Sequence, residues 1–487
     1  MSSPAKTHSL FLRLAILGVV VLFLQACATN PVTGKSQLAM SEGWGISAGA
    51  KYHQEILKQY QIYDDPELQA YVNEIGQKLA AKSHRPDLNF TFTLLDSPQV
   101  NAFALPGGYV YVTRGIMSYM NRESHLAGVI GHEIGHVTAR HGAQRAAQQQ
   151  VAGVATAAVA IGTGNSQLAQ MSQMLGGALL QGYGRTQELQ SDRLGAEYIA
   201  KNNYDPEDMI GVIGILKNQE LFAAEKAKAE GKQPQAYHGL FASHPRNDQR
   251  LQEVIAAAAK FRDSSQPIAD DGKFLRLTDG MSFGESESQG IVRNNKFYHK
   301  ALDLYMEFPA GWKVVNQPAE LIGVAPDGSQ AIRMRMAGTD DGVGPDQYLS
   351  KNFQSFRDGR RISTVEGEAY AGVATLSDQR TGQQQNVRVS ALHRAGQAFV
   401  MLGQGKTALP DQTFFSTIGR VRRLKKNEQE LASGANIKLV TVKKGDTFAK
   451  LAAKSKLPAY AEAQLRLINN MYPSGEPIPG QRIKIIQ

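Results

Sequence analysis

The chain has 487 residues, of which 42% are hydrophobic and 20% are charged, and its formal net charge is +9. This composition is typical of a globular protein and excludes a disordered, collagenous or coiled-coil chain; the length predicts about three domains. No run of five lysines or arginines occurs, so we expect no nucleic-acid partner. The one cysteine, Cys27, excludes an internal disulfide framework and a cysteine-based zinc finger.

Residues 1–26 predict a signal peptide. Lys6 and Arg13 precede an apolar run over 14–24, which is too short to cross a membrane core of about 30 Å. The run ends in Leu24-Gln25-Ala26-Cys27, which resembles the bacterial lipoprotein signal. That resemblance implies that Cys27 is the lipidated first residue of a periplasmic protein, and Ala28 after it favours the outer membrane. A signal anchor with an incidental cysteine is the alternative.

The next elements predict a mainly helical first domain over 51–263. Residues 27–50 are small, polar and glycine-rich, which predicts a tether before it. A turn at Pro106-Gly107-Gly108 joins two predicted strands. Within the domain, apolar spacing predicts helices within 51–81, over 124–150, 188–201 and 248–261, and strands over 90–95 and 108–113.

Two further units follow. Short strands and turns over 268–430 predict an α+β domain, in which we find no catalytic pattern. Residues 438–487 contain Val440-Thr441-Val442-Lys443-Lys444-Gly445-Asp446-Thr447-Phe448 and Pro479-Gly480-Gln481-Arg482, and they resemble a LysM module. The resemblance implies a small βααβ unit that binds peptidoglycan. A degenerate module that serves packing or protein contact is the alternative.

The sequence His132-Glu133-Ile134-Gly135-His136 predicts a metal site. On a helix, residues four apart lie on the same face, so the two imidazoles can bind one ion while Glu133 lies beside them. A catalytic zinc site has a third protein ligand. Glu188, on a later predicted helix, is the candidate, and Asp192, one turn further, can accept a hydrogen bond from a ligand histidine. An exposed carboxylate pair is the alternative for these two residues.

These motifs resemble one family when they are read in order. The H-E-x-x-H sequence with Arg140-His141, Glu188 to Asp192 as E-x-x-x-D, and Ser243-His244-Pro245 are similar to the zinc metallopeptidases that include the CAAX prenyl endopeptidases, the Oma-type proteases, HtpX and BepA. The segment from Asn101 to Gly108 is similar to the family's substrate-binding segment. Without predicted transmembrane pairs, the chain resembles the soluble, periplasmic branch.

The resemblance implies a mechanism. One Zn²⁺ per chain, held by His132, His136 and Glu188, activates a water and polarises the scissile carbonyl, and Glu133 transfers the proton. Asn101, Ala102 and Gly108 contact the substrate, which we expect to add a strand beside residues 108–113. His244 either covers the metal as a latch or stabilises the oxyanion. Capping of a loop is the alternative for His244.

Three nearby features have less specific patterns. His141 is expected beyond the metal ligands, and Tyr183 and Arg185 are candidates to line the cleft. Residues 151–180 contain two apolar pieces separated by Gly162-Thr163-Gly164-Asn165-Ser166-Gln167, and neither piece is long enough to span a bilayer. Their position between the ligand motifs favours a lid, with a buried helical hairpin as the alternative.

The sequence thus predicts an α+β multidomain protein: a zincin-like peptidase domain with a small edge-strand sheet, an α+β domain and a LysM-like module. We expect an endopeptidase that cleaves unfolded or misassembled envelope proteins at the outer membrane. Two alternatives are a chaperone whose zinc site is latched by His244, and a peptidoglycan-associated hydrolase.

Overall fold

A computed structural model describes residues 27–151, 183–231, 253–254, 256, 259, 272–317, 320–340, 342–353, 355–377, 384–394, 396–405, 411–457 and 459–487. The expected signal peptide, the lid segment beyond residue 151, the helix over 248–261 for the most part, and His244 lie outside this range. Among the described helices, none combines the length and the apolar character that crossing a membrane requires.

The chain divides into two compact units. The first unit consists of Met1–Leu57, Ile62–Met281 and Asn436–Gln487, and the second consists of Lys58–Gln61 and Ser282–Ala435. The region expected to be a third, separate unit therefore belongs to the same compact unit as the first predicted domain. Helices and sheets are mixed in both units.

Helices dominate the part of the first unit up to Met281. Local chemistry sets their ends: Asp65 accepts a hydrogen bond from the Leu68 amide and Pro66 is the first helical residue, so a helix begins there. The described helices are α1 (Glu42–Gln59), α2 (Pro66–Ala81), α3 (Arg114–Met117), α4 (Glu123–Thr138), α5 (Arg185–Lys201), α6 (Asp208–Ala229) and α7 (Lys273–Thr278), and residues 141–151 are also helical.

The helix expected over 124–150 is interrupted. It ends at Thr138, and Arg140 has a φ of 63°, which is a left-handed conformation that a helix cannot contain. A second helical stretch begins at residue 141. His141 is therefore turned relative to α4, rather than continuing along its surface.

The expected tether over 27–50 is wrong. Strands β1 (Cys27–Thr29) and β2 (Ser36–Leu38) form an antiparallel hairpin, and α1 begins at Glu42. The Met40 amide donates to the carbonyl of Ala143, and Ala39 is fully buried. These contacts fix the segment to the helical region beside α4, so small polar residues here pack closely instead of forming a flexible connector.

The small sheet of the first predicted domain has a strand order that the sequence did not predict. Strands β3 (Thr91–Leu95) and β5 (Tyr109–Thr113) are parallel, and an unexpected strand, β4 (Ala102–Leu105), pairs antiparallel with β5. The turn at residues 106–108 therefore joins β4 to β5. Because β5 lies between two strands, the expected pairing of substrate beside residues 108–113 is wrong, and the strands at the two edges of the described sheet are β3 and β4.

The second unit is built on an antiparallel seven-stranded sheet. Its elements are β6 (Ser282–Phe283), β7 (Ile291–Arg293), β8 (Lys296–His299), β9 (Leu304–Glu307), β10 (Lys313–Gln317), β11 (Glu320–Val324), β12 (Gln330–Gly338), α8 (Pro345–Asn352), β13 (Arg357–Thr364), β14 (Gly367–Ser377), β15 (Gln384–Arg394), β16 (Gln397–Gly405) and α9 (Asp411–Gly419). The strand order in the sheet is β10-β11-β12-β16-β15-β14-β13, and the core includes Phe308, Ile332, Phe399 and Phe414.

The C-terminal module, residues 436–487 of the first unit, has the order strand, helix, helix, strand. Its strands pair antiparallel, from Ile437 opposite Ile486 to Thr441 opposite Arg482. Phe448 is fully buried in the module. Its elements are β17 (Ala435–Thr441), α10 (Phe448–Ala452), α11 (Ala461–Ile468) and β18 (Arg482–Ile486).

Candidate metal centre

Helix α4 carries two histidines in a buried position. The helix begins at Glu123, whose carboxylate accepts hydrogen bonds from the hydroxyls of Tyr71 and Tyr204. Nε2 of His132 and Nε2 of His136 lie 3.0 Å apart, and the two side chains are almost fully buried. The helical repeat of 3.6 residues thus places both imidazoles on one side of α4, as their spacing predicts.

Glycines allow α5 to approach α4 closely. A Cβ atom on Gly135 would lie 3.1 Å from Cα of Ser191, and one on Gly195 would lie 3.1 Å from the backbone nitrogen of His132. On Gly131 it would lie 3.3 Å from the carbonyl oxygen of Gly195. Three positions without a side chain therefore set the separation of the two helices, and the sequence motif alone did not single them out.

This close crossing brings Glu188 of α5 to the two histidines. Its carboxylate oxygens lie 3.6 Å from Nε2 of His132 and 3.4 Å from Nε2 of His136. One donor atom from each of the three residues lies within 4.8 Å of the others, and all three residues are buried. Two imidazoles and one carboxylate are a donor set typical of catalytic zinc, and the residues present therefore fit that ion.

Burial at the centre favours a neutral imidazole at His136. Burial lowers the pKa of His136 well below its ordinary value, although Glu188 opposes the shift. A metal ion binds the neutral form of histidine, so this environment suits a ligand. Glu133 is also buried, and it lies next to His132 on α4.

Each histidine has a partner at its other ring nitrogen. Oδ1 of Asp192 lies 2.9 Å from Nδ1 of His132, so the carboxylate contacts the ring nitrogen that does not face the centre. Nδ1 of His136 lies 2.9 Å from Nδ1 of His141, and Nε2 of His141 lies 3.1 Å from Oε1 of Gln190. His141 thus contacts His136 at the ring nitrogen opposite Nε2, and it does not belong to the cluster of donor atoms.

An aromatic residue covers one side of His136. The ring of Tyr183 stacks on its imidazole at a centroid distance of 3.8 Å, and the guanidinium of Arg145 lies 4.7 Å from the Tyr183 ring centroid. Burial raises the pKa of Tyr183, and the nearby carboxylates of Glu133 and Glu188 add to this. The Tyr183 hydroxyl therefore stays protonated, and it lies close enough to the centre to interact electrostatically with the carboxylates of Glu133 and Glu188.

The edge strand lies beside the same centre. Ala104, Leu105 and Pro106 line a cleft together with His136 and Tyr183. The cleft therefore connects β4, where an extended chain can add to the sheet, with one of the candidate ligands.

The other residues expected to contact substrate take different positions. Ala102 is the first residue of β4 and is fully buried. Oδ1 of Asn101 is buried and has no hydrogen-bond partner among the described residues. The carbonyl of Gly108 accepts a hydrogen bond from the Thr91 amide, and a Cβ there would lie 2.5 Å from the Asn89 carbonyl oxygen, so Gly108 faces β3 and not the edge.

One residue expected to line the cleft lies elsewhere, and several residues near the centre were not predicted from the sequence. Arg185 is exposed at the first turn of α5 and does not line the cleft. Arg145, Gln190 and the three glycines of the helix crossing were not singled out from the sequence. Arg145 follows Arg140-His141 in the second helical stretch, and its role depends on the interruption at residue 140, which the apolar pattern does not reveal.

Comparison with known proteins identifies two regions. Residues 66–258 match peptidase family M48, and residues 440–485 match the LysM domain. The beta-barrel assembly-enhancing protease of Yersinia pestis is 26% identical over 282 residues, which cover 53% of this chain and 56% of that protein. The putative beta-barrel assembly-enhancing protease of Vibrio cholerae is 32% identical over 187 residues, covering 36% of this chain and 38% of that protein.

A mitochondrial relative also matches. The metalloendopeptidase OMA1 of Bos taurus is 26% identical over 305 residues, which cover 58% of this chain and 57% of that protein. The chain spans about half the length of these relatives or less. It carries a domain of the M48 metallopeptidase family followed by a LysM domain, and the resemblance that the motifs indicated is confirmed.

Proposed function

We propose that this protein is a zinc-dependent endopeptidase that hydrolyses misfolded or misassembled envelope proteins. The observation that carries the proposal is the buried cluster of His132, His136 and Glu188, which combines two imidazoles and a carboxylate within reach of one ion. The match of the surrounding region to peptidase family M48 supports it.

The reaction assigns a role to each residue around the centre. His132, His136 and Glu188 would hold a zinc ion, which when bound would supply a Lewis acid for the scissile carbonyl and lower the pKa of an attacking water. Glu133 accepts the proton of that water and delivers it to the leaving amine. Asp192 holds the ring of His132 in the orientation and tautomer that the ion requires.

The substrate is an extended or unfolded chain. We propose that it adds to the outer side of β4, because that strand is one of the two edges of the described sheet and is the one that lies beside the cleft that reaches His136. The buried Oδ1 of Asn101 would then gain a donor from the substrate backbone. Most of the backbone of a folded protein is already hydrogen-bonded within that protein, which would favour cleavage of unfolded or misassembled proteins.

The cellular setting extends the same proposal. The names of the bacterial relatives connect those proteins with β-barrel assembly, and the LysM match suggests binding to peptidoglycan through residues 438–487. We propose a periplasmic enzyme that is lipid-anchored at Cys27 to the outer membrane after removal of residues 1–26. His244, which lies outside the described residues, is proposed to act at the same centre.

The test combines zinc content with cleavage of unfolded casein. Glu133→Gln is expected to keep stoichiometric zinc and to lose cleavage, because the amide cannot take up the proton. Glu67→Gln is the matched control, since Glu67 is exposed on α2. A gain of activity in His244→Ala would identify a latch, and a loss would identify oxyanion stabilisation.

Other outcomes would contradict the proposal. If all variants bind zinc and none cleaves casein or envelope proteins, the peptidase function fails and a chaperone function takes its place. Digestion of purified sacculi with unchanged envelope proteins would instead indicate a peptidoglycan hydrolase. Co-sedimentation of the full chain with intact sacculi tests the glycan contact separately.

A further inference from the structure

The C-terminal module contains a fully buried lysine. The Lys484 side chain has no exposure, and its Nζ donates hydrogen bonds of 2.5 and 2.7 Å to the carbonyls of Ser118 and Met120. Both acceptors lie in the turn between α3 and α4, where helix-end carbonyls lack partners within the helix. Burial of an amine is costly unless its donors are used, so these contacts fix where the module sits.

The module presents this lysine rigidly. The side-chain amide of Asn469 donates to the Lys484 carbonyl and its oxygen accepts from the Lys484 amide, each at 2.8 Å. Asn469 follows directly after α11, so it ties β18 to that helix. The position of the amino group is therefore set by the module's own fold.

A second set of contacts joins the module to α6. The Phe222 ring makes edge contacts with Tyr460 and Tyr472, at centroid distances of 6.2 and 6.0 Å. The Tyr472 hydroxyl donates to the Glu225 carboxylate, and Nζ of Lys226 lies 5.8 Å from the Tyr460 ring centroid. The three residues of α6 are spaced at i, i+3 and i+4, which places them on one face of the helix.

The surfaces that receive the module also support α4. The turn from Ser118 to Met120 leads directly into α4, and α6 packs against the same helix. A Cβ on Gly128 of α4 would lie 3.1 Å from Val212 and 3.3 Å from Met209 of α6. The module therefore contacts two elements that hold the first half of the helix with His132, Glu133 and His136.

We propose that the C-terminal module is an intramolecular brace for the metal-binding helix, with Lys484 as a positioning residue. The inference rests on the proposed peptidase function for its effect on catalysis, and on the contacts above for its effect on α4. The module then contributes to peptide cleavage whether or not a glycan is bound. Its removal would damage the peptidase site in addition to any loss of wall binding.

The test compares Lys484→Met with Lys454→Met in the full chain. Methionine keeps most of the buried length and removes both hydrogen bonds, whereas Lys454 is exposed in the same module. In Lys484→Met we expect amide hydrogen exchange over 118–125 to become about ten-fold faster, the size expected for two lost hydrogen bonds, while α2 is unchanged. The kcat for an unfolded peptide should fall about ten-fold at constant KM, because β4 is untouched.

Each outcome decides the matter. If the amide exchange and the kcat of Lys484→Met equal those of Lys454→Met, the brace is overturned. Faster exchange throughout the first unit of Lys484→Met would also overturn it, because that result indicates a general loss of stability. If Lys484→Met unfolds the protein, Tyr472→Phe replaces it as the test, because this variant removes only the hydroxyl bound to Glu225. Amide hydrogen exchange in Tyr472→Phe should then be faster locally, in α6 and α4. Unchanged exchange in these two helices would contradict the brace. Faster local exchange with an inactive wild type supports the brace and contradicts the peptidase function.

Discussion

Replacing Gly135 with alanine tests how the helix crossing forms the metal centre. The added Cβ would lie 3.1 Å from Cα of Ser191 and 3.2 Å from Cβ of Leu194. Carbon atoms in favourable contact are about 3.5–4.0 Å apart, so the two helices must separate by a few tenths of an ångström. Backbone and Cβ atoms form the obstacle, and no flexible side-chain end can turn away.

Two measurable effects follow from this separation. Crowding of a packed interior costs about 1–3 kcal/mol, which exceeds the gain of about 1 kcal/mol from replacing a helical glycine by alanine. We therefore expect the free energy of unfolding of the zinc-free protein to fall by about 1 kcal/mol. Since Glu188 lies on α5 and the histidines lie on α4, their donor atoms move apart by more than the ~0.2 Å that a zinc site tolerates. Zinc affinity should fall about ten-fold.

Gly214→Ala is the matched control. Gly214 lies in α6, and a Cβ there would meet no atom within 4 Å. This variant should gain about 0.5–1 kcal/mol of stability and keep its zinc affinity. Urea unfolding gives the stability of each variant, and competition with a chromophoric chelator gives the dissociation constant of zinc. If Gly135→Ala is stabilised as much as Gly214→Ala and binds zinc as the wild type does, the close crossing does not determine the centre.

Three more predictions concern the centre and the module. Asp192→Asn should lower zinc affinity about 10- to 100-fold by removing the charge 2.9 Å from Nδ1 of His132, measured by chelator competition; unchanged affinity would contradict its role. Removing zinc should abolish cleavage and lower the midpoint of thermal unfolding, because an ion at 1,000 times its dissociation constant stabilises the folded state by about 4 kcal/mol. Burial lowers the pKa of Lys484 well below its ordinary value, so the unfolded state binds a proton that the folded state has released. Between that lowered pKa and about 10.4, the wild type should gain about 1.4 kcal/mol per pH unit over Lys484→Met in urea unfolding, and a pH-independent difference would refute this.

The parts of the centre that the sequence predicted depend on short-range order. His132 and His136 are one helical turn apart, so a local periodicity places them together once α4 forms. Glu188 lies 52 residues further along the chain than His136, and spacing alone left an exposed carboxylate as an alternative. It was singled out because its motif resembles that of a known family, and the structure then shows it buried beside both histidines.

The strand order of the small sheet could not be predicted in the same way. Strands β4 and β5 are joined by a tight turn at Gly107 and Gly108, both with positive φ, which is a local signal. The parallel pairing of β3 with β5 instead brings Thr91 opposite Tyr109, although the whole of β4 lies between these two residues in the sequence. Alternating side chains fix which face of a strand is buried, but they do not say which strand lies next to it.

Lys484 shows the same limit for the contact between the module and the peptidase region. In β18 the order Arg482, Ile483, Lys484, Ile485 alternates polar and apolar residues, which predicts one face in the module's core and the other in water. Ile483 is buried as this pattern requires, yet Lys484 on the opposite face is buried as well. The second burial has its cause in the carbonyls of Ser118 and Met120, more than 360 residues earlier in the chain. A polar residue in an alternating strand therefore indicates exposure to solvent only when one face of the strand is packed. In β18 both faces are packed, because the module docks against the turn that contains Ser118 and Met120.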